Sequence, residues 1–425
     1  CDLVEDKVTQ TYFDQISFEG KKGMKATYWN NPNREGASVI SQQIVNPIKM
    51  TTAGQHEFAS GVKLEGFSAK YETEYLAKQN DTLVFKTGIT GVFQLVVNGK
   101  SISKSNNWRT VPANIPFVVE AGKKYKIEVL YAQSNNWQAN LEFDFGKGFD
   151  IDFDKLIQKL KGIDTVVFVG GLSTLLEGEE MPVSYPGFKD GDRTNIELPA
   201  VQRKCLKELK AAGKKVIFVN CSGSAIALTP ETESCDAILQ AWYPGESGGQ
   251  AVADVLFGDY NPAGKLPVSF YKNSEILGDF EDYSMKNRTY RYTTDVLFPF
   301  GFGLSYSKFN IETGKLSKTN IKPNENTQLS FPIENISKRE GTEIVQVYVR
   351  KLNDTDGPLK TLKSFKRINL KVGEKQNITI DLPASSFEFY DSNIKGMNVT
   401  SGEYEVYYGN SSDAKDLKMS KVSIQ

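Results

Sequence analysis

The sequence predicts a multidomain protein with an α/β region and two all-β regions. Residues 23–145 alternate apolar and polar positions in short runs separated by turn signals, as strands with one buried face do. From Ile151 onward, short β-branched runs alternate with helical stretches, the order that gives parallel strands joined by crossover helices. After about Lys308 the helical pattern ends and the period-2 runs return. A length of 425 residues also suggests about three domains.

In the first all-β region, two turn signals mark hairpins. Asn98-Gly99 directly follows the run GVFQLVV, and because both residues tolerate positive φ, the pair predicts a tight β-hairpin. The segment AGKK, residues 121–124, predicts a second hairpin. The tetrapeptide SNNW occurs at residues 105–108 and 134–137, but it is too short to indicate a structural repeat.

The α/β region contains two recognisable βα units. Thr165–Gly171 (TVVFVGG) has the composition of a buried strand. After Pro199, apolar residues recur at helical spacing until Gly213 ends the predicted helix, namely Val201, Cys205, Leu209 and Ala212. The runs KKVIFVN and AILQAWYPG predict two further strands, and GGQAVADVLFG predicts a helix after them.

The last all-β region is predicted from runs that alternate at period 2 between turns rich in Asn, Asp, Gly and Lys. The clearest runs are TQLSFPIEN, TEIVQVYVRK, KQNITIDL and GEYEVYYG. Together they predict a small β-sandwich of about 115 residues.

Composition and charge narrow the classes of partner. Hydrophobic residues make up 39% and charged residues 24% of the chain, the balance of a soluble globular protein. Lys and Arg total 51 against 52 Asp and Glu, a net charge of -1, so no general field would attract nucleic acid or anionic lipid. No apolar run approaches the roughly 18 residues of a membrane span. Neutral partners fit this composition best.

The scarcity of histidine and the spacing of the cysteines argue against several chemistries. His56 is the single histidine, which disfavours a Ser-His-Asp triad and a metal site with several His ligands. The four cysteines show no CxxC spacing, so neither a zinc ribbon nor a dense disulfide framework is predicted: Cys1, Cys205, Cys221 and Cys235. No metal and no organic cofactor is implied.

The strongest local signal is a long acidic loop after the strand Thr165–Gly171, LSTLLEGEEMPVSYPGFKDGDRTNIELP. The loop follows the carboxyl end of a strand, where α/β proteins usually bind ligands. Glu177, Glu179 and Glu180 lie within four residues. Because glutamate side chains are normally exposed, these residues alone favour a solvated surface loop over a catalytic site.

Two groups of aromatic residues leave both a sugar-binding site and ordinary packing open. Six aromatic residues precede the last all-β region, and this position favours interdomain packing: Tyr290, Tyr292, Phe298, Phe300, Phe302 and Tyr306. In the first all-β region, Trp29, Trp108 and Trp137 offer either a platform for sugar rings or ordinary core and interface residues.

A series of motifs resembles one family along essentially the whole chain. The segments VVFVGGLSTLLEGEEM, GDRTNIELPAVQ, VIFVNCSGSAIAL, QAWYPGESGGQAVADVLFGDYNPAGKLPVSF, RTYRY and LFPFGFGLSYSKF resemble, in this order, the six-stranded α/β sandwich domain of glycoside hydrolase family 3 β-glycosidases. Residues 23–145, opening with GMKATYWNN, resemble the protective-antigen-type β-sandwich inserted into that domain in some members. Residues from Phe309 onward, with LKTLKSFKRINLKVGEKQNITIDL, resemble the family's terminal fibronectin type III-like domain.

The resemblance implies an α/β sandwich domain that is interrupted by one β-sandwich and followed by another. The α/β sandwich domain would comprise residues 1–17 and 149–307, with its first part missing. The protective-antigen-type insertion would comprise residues 18–148, and the fibronectin type III-like domain residues 308–425.

The resemblance also implies a retaining mechanism, in which an aspartate nucleophile forms a glycosyl-enzyme and an acid/base glutamate protonates the leaving oxygen. When the family's acid/base pattern is aligned with EGEEM and the GDR that follows, Glu179 is the first choice of acid/base residue and Glu177 the second. Asp192-Arg193 is then the downstream pair. The match departs from the pattern because Glu180 stands where a small residue is usual and PVSYPGFKDG is interposed. No substrate-binding residue is assigned.

In the family, the nucleophile belongs to an amino-terminal barrel, of which this chain shows nothing, so we expect little or no turnover by the chain alone. The expected partners are that barrel half of the same enzyme and an oligosaccharide substrate. A homodimer is a further option. Cys1 is either the lipidated first residue of a mature lipoprotein or the start of a truncated reading frame. Truncation is favoured.

Two functions from different classes follow. The first is the carboxy-terminal part of an exo-acting enzyme that removes terminal non-reducing β-D-xylosyl or β-D-glucosyl residues from oligosaccharides, with xylose first. The second is a noncatalytic carbohydrate-binding or adhesion protein left after loss of the barrel. Because polymers are met outside the cytoplasm, we expect a periplasmic or extracellular location, with a lipid anchor as an option.

Overall fold

The computed structural model describes residues 7–55, 59–133, 138–174, 176–177, 184–189 and 192–425. Within these ranges, buried apolar side chains form three clusters, inside residues 13–145, 153–270 and 321–424. Cys1, His56 and the second SNNW copy lie outside the described residues. The domain boundaries implied by the resemblance stay predictions.

Eleven described strands form one antiparallel sheet in residues 7–150: β1 (Lys7–Thr11), β2 (Ile16–Phe18), β3 (Lys21–Lys22), β4 (Met24–Trp29), β5 (Ile40–Ile44), β6 (Ile48–Thr51), β7 (Ser68–Leu76), β8 (Asp81–Val97), β9 (Lys100–Val119), β10 (Lys124–Ala132) and β11 (Asn140–Asp150). Hydrogen-bonded neighbours follow the order β1-β11-β8-β10-β7-β2-β3. In addition, β4 pairs with β5 and β7, β6 with β11, and β9 with β8. The first apolar cluster is built from the inward-facing residues of these strands.

The long strand β8 changes partners along its length. Its residues 83–90 pair with β11, and its residues 92–97 pair with β10. A register shift between Ile89 and Gly91 in the pairing with β9 marks the change. Because such a bulge bends a strand, β8 can contribute to both parts of the sheet around one core.

Of the two hairpins that the sequence predicts in this region, the first is confirmed and the second is wrong. Asn98 and Gly99, with φ angles of 50° and 77°, form the two-residue turn between β8 and β9. The segment 120–123 forms a turn between β9 and β10, but these strands do not pair with each other, because β9 pairs with β8 and β10 with β7 and β8. Turn chemistry therefore identified both turns, but it did not determine which strands pair.

The α/β elements follow: α1 (Phe153–Lys159), β12 (Thr165–Gly171), β13 (Ser184–Tyr185), β14 (Phe188–Lys189), β15 (Asp192–Arg193), α2 (Ala200–Ala211), β16 (Lys215–Cys221), α3 (Glu231–Ser234), β17 (Ala237–Gln240), α4 (Gly248–Phe257) and α5 (Thr289–Tyr292). The strands β12, β16 and β17 are parallel and adjacent in that order, as the βα units predict. The short strands β13, β14 and β15 form a separate antiparallel sheet inside the acidic loop. A 3₁₀ turn covers Ser274–Ile276.

Helix α2 connects β12 to β16 and buries one face. Its buried apolar residues lie on one face of the helix, at Val201, Cys205, Leu206 and Leu209. The predicted strands TVVFVGG and KKVIFVN and the predicted helix GGQAVADVLFG are confirmed as β12, β16 and α4. The prediction that TVVFVGG is buried is wrong, because Val167 and Val169 on one face of β12 are 46% and 58% exposed.

The last region contains β18 (Phe309–Ile311), β19 (Lys315–Leu316), β20 (Asn320–Ile321), β21 (Thr327–Asn335), β22 (Gly341–Lys351), β23 (Thr361–Leu370), β24 (Lys375–Leu382), β25 (Phe389–Asp391), β26 (Gly396–Asn398), β27 (Gly402–Gly409) and β28 (Leu417–Ile424), with 3₁₀ turns at Ala384–Phe387 and Ala414–Asp416. One sheet joins β18, β21, β19 and β24, and a second has the order β20-β28-β27-β22-β23. The apolar cluster of residues 321–424 draws on both sheets. All four runs that predicted this region are strands.

Aromatic residues at the junction pack against the last all-β region. The ring of Tyr290 stacks on Phe300 with 4.3 Å between centroids and meets Tyr348 edge-on at 5.7 Å. The Tyr290 hydroxyl also accepts a hydrogen bond from the backbone N–H of Leu362 at 3.1 Å. For Tyr290 and Phe300, the packing interpretation is therefore confirmed.

Among the described helices, none has both the length and the hydropathy needed to cross a membrane.

Candidate active site

The carboxyl ends of the three parallel strands bring three loops together. The strands β12, β16 and β17 end at the same edge of their sheet. The loops that follow them carry Glu177, Ser224 and Tyr243, and the short strand β15 supplies Arg193. These four side chains contact one another and are called the Glu177 cluster below.

Glu177 lies at the centre of this cluster, with its side chain 19% exposed. The Tyr243 hydroxyl donates a short hydrogen bond to Oε2 of Glu177. The Ser224 hydroxyl donates to Oε1 at 3.1 Å, and Nη1 of Arg193 lies 3.9 Å from the same oxygen. Both carboxylate oxygens therefore accept hydrogen bonds from protein groups, and a nearby cation balances their charge.

The backbone around Tyr243 places its ring over the loop that follows β16. Trp242 has a φ of 57°, a left-handed conformation that costs on the order of 1–3 kcal/mol for a residue other than glycine. The Trp242 ring packs edge-on against Phe270 at 6.2 Å, which holds it there. A Cβ at Gly223 would lie only 2.6 Å from Cε2 of Tyr243, so the close approach of the ring requires glycine at this position. Burial is the larger cause that raises the pKa of Tyr243, and the hydrogen bond to Glu177 raises it further.

Arg193 makes its hydrogen bonds through one nitrogen. Its Nη1 donates to the Ser224 hydroxyl at 3.0 Å and to the Ala225 carbonyl at 3.3 Å. Its Nε and Nη2 are buried and have no hydrogen-bond partner in the described part of the chain. Burial lowers the pKa of the Arg193 guanidinium, and the negative charge of Glu177 opposes this effect.

Buried polar side chains beneath the cluster fix the position of Ser224. The Ser222 hydroxyl donates to the Ser224 carbonyl at 2.9 Å. Nε2 of Gln240 donates to the Ser222 hydroxyl at 3.2 Å, and Nδ2 of Asn220 donates to Oε1 of Gln240 at 2.6 Å. Asn220 and Ser222 are completely buried, and connected hydrogen bonds in such surroundings favour a single arrangement.

The structure brings together two of the residues that the sequence singled out. Glu177 and Arg193 belong to the cluster, whereas the Asp192 side chain is exposed. The solvated-loop interpretation does not hold for Glu177, because its side chain is 19% exposed. Glu179 and Glu180 lie outside the described residues, so the choice of acid/base residue stays a prediction.

Sequence reasoning did not identify Ser224 and Tyr243. Both directly follow predicted parallel strands, in the segments NCSGS and AWYPG. The rule that placed the acidic loop at the ligand-binding edge therefore applied to these segments as well.

Outside the cluster, Trp108 is the most exposed aromatic side chain among the described residues of the first sheet. Trp108 in β9 is 57% exposed, and the guanidinium carbon of Arg109 lies 4.0 Å from its ring centroid. Trp29 is half-buried, and Trp137 lies outside the described residues. In the part of the chain that the structure describes, no group of three or more His, Cys, Asp or Glu side chains is placed to hold a metal ion.

Two family descriptions match the chain. Residues 13–306 match the glycosyl hydrolase family 3 C-terminal domain, and residues 343–412 match a fibronectin type III-like domain. The first match covers more than half of the chain.

Curated relatives are similar over the same regions. The chain is 49% identical over 426 residues to a xylan 1,4-beta-xylosidase of Xylanibacter ruminicola, covering 100% of this chain and 49% of that protein. It is 34% identical over 320 residues to a beta-xylosidase of Formosa agariphila, covering 71% of this chain and 42% of the relative. It is 33% identical over 270 residues to a periplasmic beta-glucosidase of Salmonella typhimurium, covering 60% of this chain and 34% of that protein. The chain thus spans at most about half the length of these relatives.

Solved structures share the fold. The crystal structure of a beta-glucosidase from Kluyveromyces marxianus superposes with a TM-score of 0.67 at 22% identity, covering 98% of this chain and 53% of that one. A beta-glucosidase from Listeria innocua in complex with isofagomine gives a TM-score of 0.55 at 26% identity, covering 64% and 38%. The first likeness extends over nearly all of this chain.

Proposed function

The chain belongs to glycoside hydrolase family 3, and from this premise we propose that it is the carboxy-terminal part of an exo-acting β-glycosidase. The observation that carries the proposal is the similarity along the whole chain to a xylan 1,4-beta-xylosidase, at 49% identity. The proposed substrates are oligosaccharides with terminal non-reducing β-D-xylosyl residues, with β-D-glucosyl residues as the alternative. Such neutral substrates suit a chain of net charge -1.

The proposed chemistry is retaining hydrolysis with two carboxyl groups, one of which lies in the acidic loop of this chain. Glu179 is the proposed acid/base and Glu177 the second candidate. The contacts of Glu177 support this order, because Tyr243 and Ser224 each donate a hydrogen bond to one of its two oxygens. An acid/base must instead have an oxygen within hydrogen-bond reach of the leaving group. Glu177 is thus better suited to hold the loop in position than to transfer the proton.

The second reacting group is proposed to come from outside this chain. The xylan 1,4-beta-xylosidase relative is about twice as long, since the chain covers 49% of it. The family resemblance assigns the aspartate nucleophile to an amino-terminal barrel. We therefore expect that barrel to be the partner with which the Glu177 cluster completes a site.

Hydrolysis of aryl β-xyloside and aryl β-glucoside by the purified chain, alone and mixed with a separately expressed barrel half, tests this proposal. Activity only in the mixture is the expected result, and the ratio of the two rates ranks the sugars. Activity of the chain alone would show that a local carboxylate acts as nucleophile. Inactivity of the mixture, with both halves folded by circular dichroism, would contradict the proposal.

A noncatalytic carbohydrate-binding function is the second candidate, and the exposure of Trp108 is the observation that favours it. The exposed part of an indole can pack against a sugar ring, and a sugar that packs where Arg109 lies over the Trp108 ring must displace its guanidinium group. Titration of the chain with xylo-oligosaccharides, followed by tryptophan fluorescence, tests this function against a Trp108→Ala variant. Either function implies a polymer met outside the cytoplasm, so we propose a periplasmic or extracellular location.

A further inference from the structure

Arg193 presents two unsatisfied donors inside the Glu177 cluster. Its side chain is 14% exposed, and its Nε and Nη2 have no hydrogen-bond partner among the described residues. These two nitrogens share one edge of the planar guanidinium group, opposite to the hydrogen-bonded Nη1. A buried cation with unmet donors is unfavourable unless a partner is present.

Two described carboxylates near Arg193 accept hydrogen bonds from other groups. The shortest contact of Glu177 with Arg193 is to Nη1, at 3.9 Å, and its two oxygens accept hydrogen bonds from Ser224 and Tyr243. Glu197, the other carboxylate whose charge acts on Arg193, accepts a hydrogen bond from Nη2 of Arg203 at 3.3 Å and another from the backbone N–H of Ser274 at 3.0 Å. Neither glutamate occupies the free edge of the Arg193 guanidinium.

We propose that the Nε–Nη2 edge of Arg193 is a carboxylate-binding site. Two parallel N–H···O bonds match the spacing of the two oxygens of one carboxylate. Hydrogen bonds to a carboxylate are roughly twice as strong as those to the neutral hydroxyls of a sugar, which makes a carboxylate the better ligand.

Two sources of the bound carboxylate fit this chemistry. One is another acidic side chain of this protein, and the other is an acidic ligand such as a uronic acid sugar. The proposal does not depend on catalysis by the chain, so its failure and the failure of the proposed hydrolase function can be distinguished.

NMR spectroscopy of the 425-residue chain with ¹⁵N-labelled arginine tests the proposal directly. The sequence holds nine arginines, so the side-chain Nε–H signals are few. The signal of Arg193 is assigned by its disappearance in Arg193→Lys, a variant that keeps the charge but loses the planar fork. Arg109→Lys, which changes an arginine on the first sheet, is the matched control for folding and for assignment.

Glucuronate is the acidic probe, and glucose at equal concentration is the neutral control. A saturable shift of the Arg193 signal with glucuronate but not with glucose supports an acidic ligand as the source. A shift of the Arg193 signal in the Glu179→Gln or Glu180→Gln variant, without added sugar, supports a side chain of this protein as the source of the carboxylate. An Arg193 signal that stays unchanged in both variants and with both sugars overturns the proposal. If Arg193→Lys does not fold, the signal is assigned by elimination, with single lysine variants of the other arginines.

Discussion

Tyr243 donates its phenolic proton to Glu177, although 66 residues separate them in the chain. The hydrogen bond joins the loop after β12 to the loop after β17, across the loop that follows the middle strand β16. Loops at the edge of a sheet are held less firmly than the strands they connect. The orientation of Glu177 therefore depends on a residue from another loop.

Replacing Tyr243 with Phe removes the donor and keeps the ring. A hydrogen bond to a charged group contributes roughly 1.5–3 kcal/mol. Because Tyr243 is 40% exposed, we expect a smaller loss, about 1 kcal/mol of the free energy of unfolding. Urea unfolding followed by circular dichroism measures this difference. The control is Tyr283→Phe, which changes a tyrosine that is 87% exposed and should alter stability by less than about 0.5 kcal/mol. Equal stability of Tyr243→Phe and the unsubstituted chain would contradict the argument.

At alkaline pH, ionisation of Tyr243 should lower the free energy of unfolding. Burial and the bond to Glu177 raise the pKa of Tyr243 in the folded chain, whereas the unfolded chain keeps the ordinary value of about 10. Above about pH 10, the unfolded state therefore loses this proton first, so stability falls as the pH rises further. Below that pH, the tyrosine is protonated in both states and contributes no pH dependence.

Comparing urea unfolding of the unsubstituted chain and Tyr243→Phe across this pH range isolates the effect of Tyr243. The stability difference between them should shrink above about pH 10, because only the unsubstituted chain carries this titrating group. A difference that stays constant through that range would argue against a raised pKa of Tyr243.

Replacing Gly223 with Ala should disturb the Tyr243–Glu177 contact. The new Cβ would lie 2.6 Å from Cε2 of Tyr243, so the ring or the loop must move. Overpacking of this kind costs roughly 1–3 kcal/mol. Gly245→Ala is the matched control, since a Cβ there meets no atom within 4 Å and Gly245 lies in the same loop as Tyr243. Equal stability of the two variants, measured by urea unfolding, would show that the tyrosine ring moves away at no cost.

Much of the fold could be predicted from the sequence because its signals are local. The pair Asn98-Gly99 is sufficient for a hairpin turn, since both residues accept positive φ without a partner elsewhere in the chain. The spacing of Val201, Cys205 and Leu209 likewise predicts both a helix and its buried face. The change of partners within β8 was not predicted, because it depends on which strands lie beside it rather than on its own pattern.

The candidate site was predicted only in part, for the same physical reason. Glu177 and Arg193 were noticed because they lie in a loop with a conspicuous composition. Tyr243 has no such surroundings, and its contact with Glu177 arises only when β12 and β17 are placed on either side of β16. The left-handed conformation of Trp242 was also invisible in the sequence, since tryptophan rarely adopts it.

A buried ion pair between the α/β region and the last all-β region should be sensitive to neutralisation. Nζ of Lys265 lies 2.8 Å from Oε1 of Glu343, with side chains 11% and 7% exposed. Glu343→Gln leaves the lysine charge buried without its partner, which we expect to cost about 3 kcal/mol in thermal unfolding. Asp295→Asn, in the exposed pair with Lys272, is the control and should cost less than about 1 kcal/mol. Similar losses in both variants would show that water already screens Lys265.

The roles of Glu179 and Glu177 can be separated by the leaving group of the substrate. In the active mixture of chain and barrel, Glu179→Ala should lower kcat/KM by roughly 100- to 10,000-fold for substrates with poor leaving groups and spare activated aryl glycosides, which need little protonation. Glu177→Ala should lower kcat/KM for all substrates alike, because it disturbs the loop rather than the proton transfer.

A series of aryl β-xylosides that differ only in the pKa of the released phenol measures this dependence. A steep dependence on that pKa in Glu179→Ala and a shallow one in Glu177→Ala is the expected pattern. The reverse pattern would make Glu177 the acid, and its hydrogen bonds to Tyr243 and Ser224 would then have to break when substrate binds. Equal dependence in both variants would remove both glutamates from the role and direct attention to Glu180.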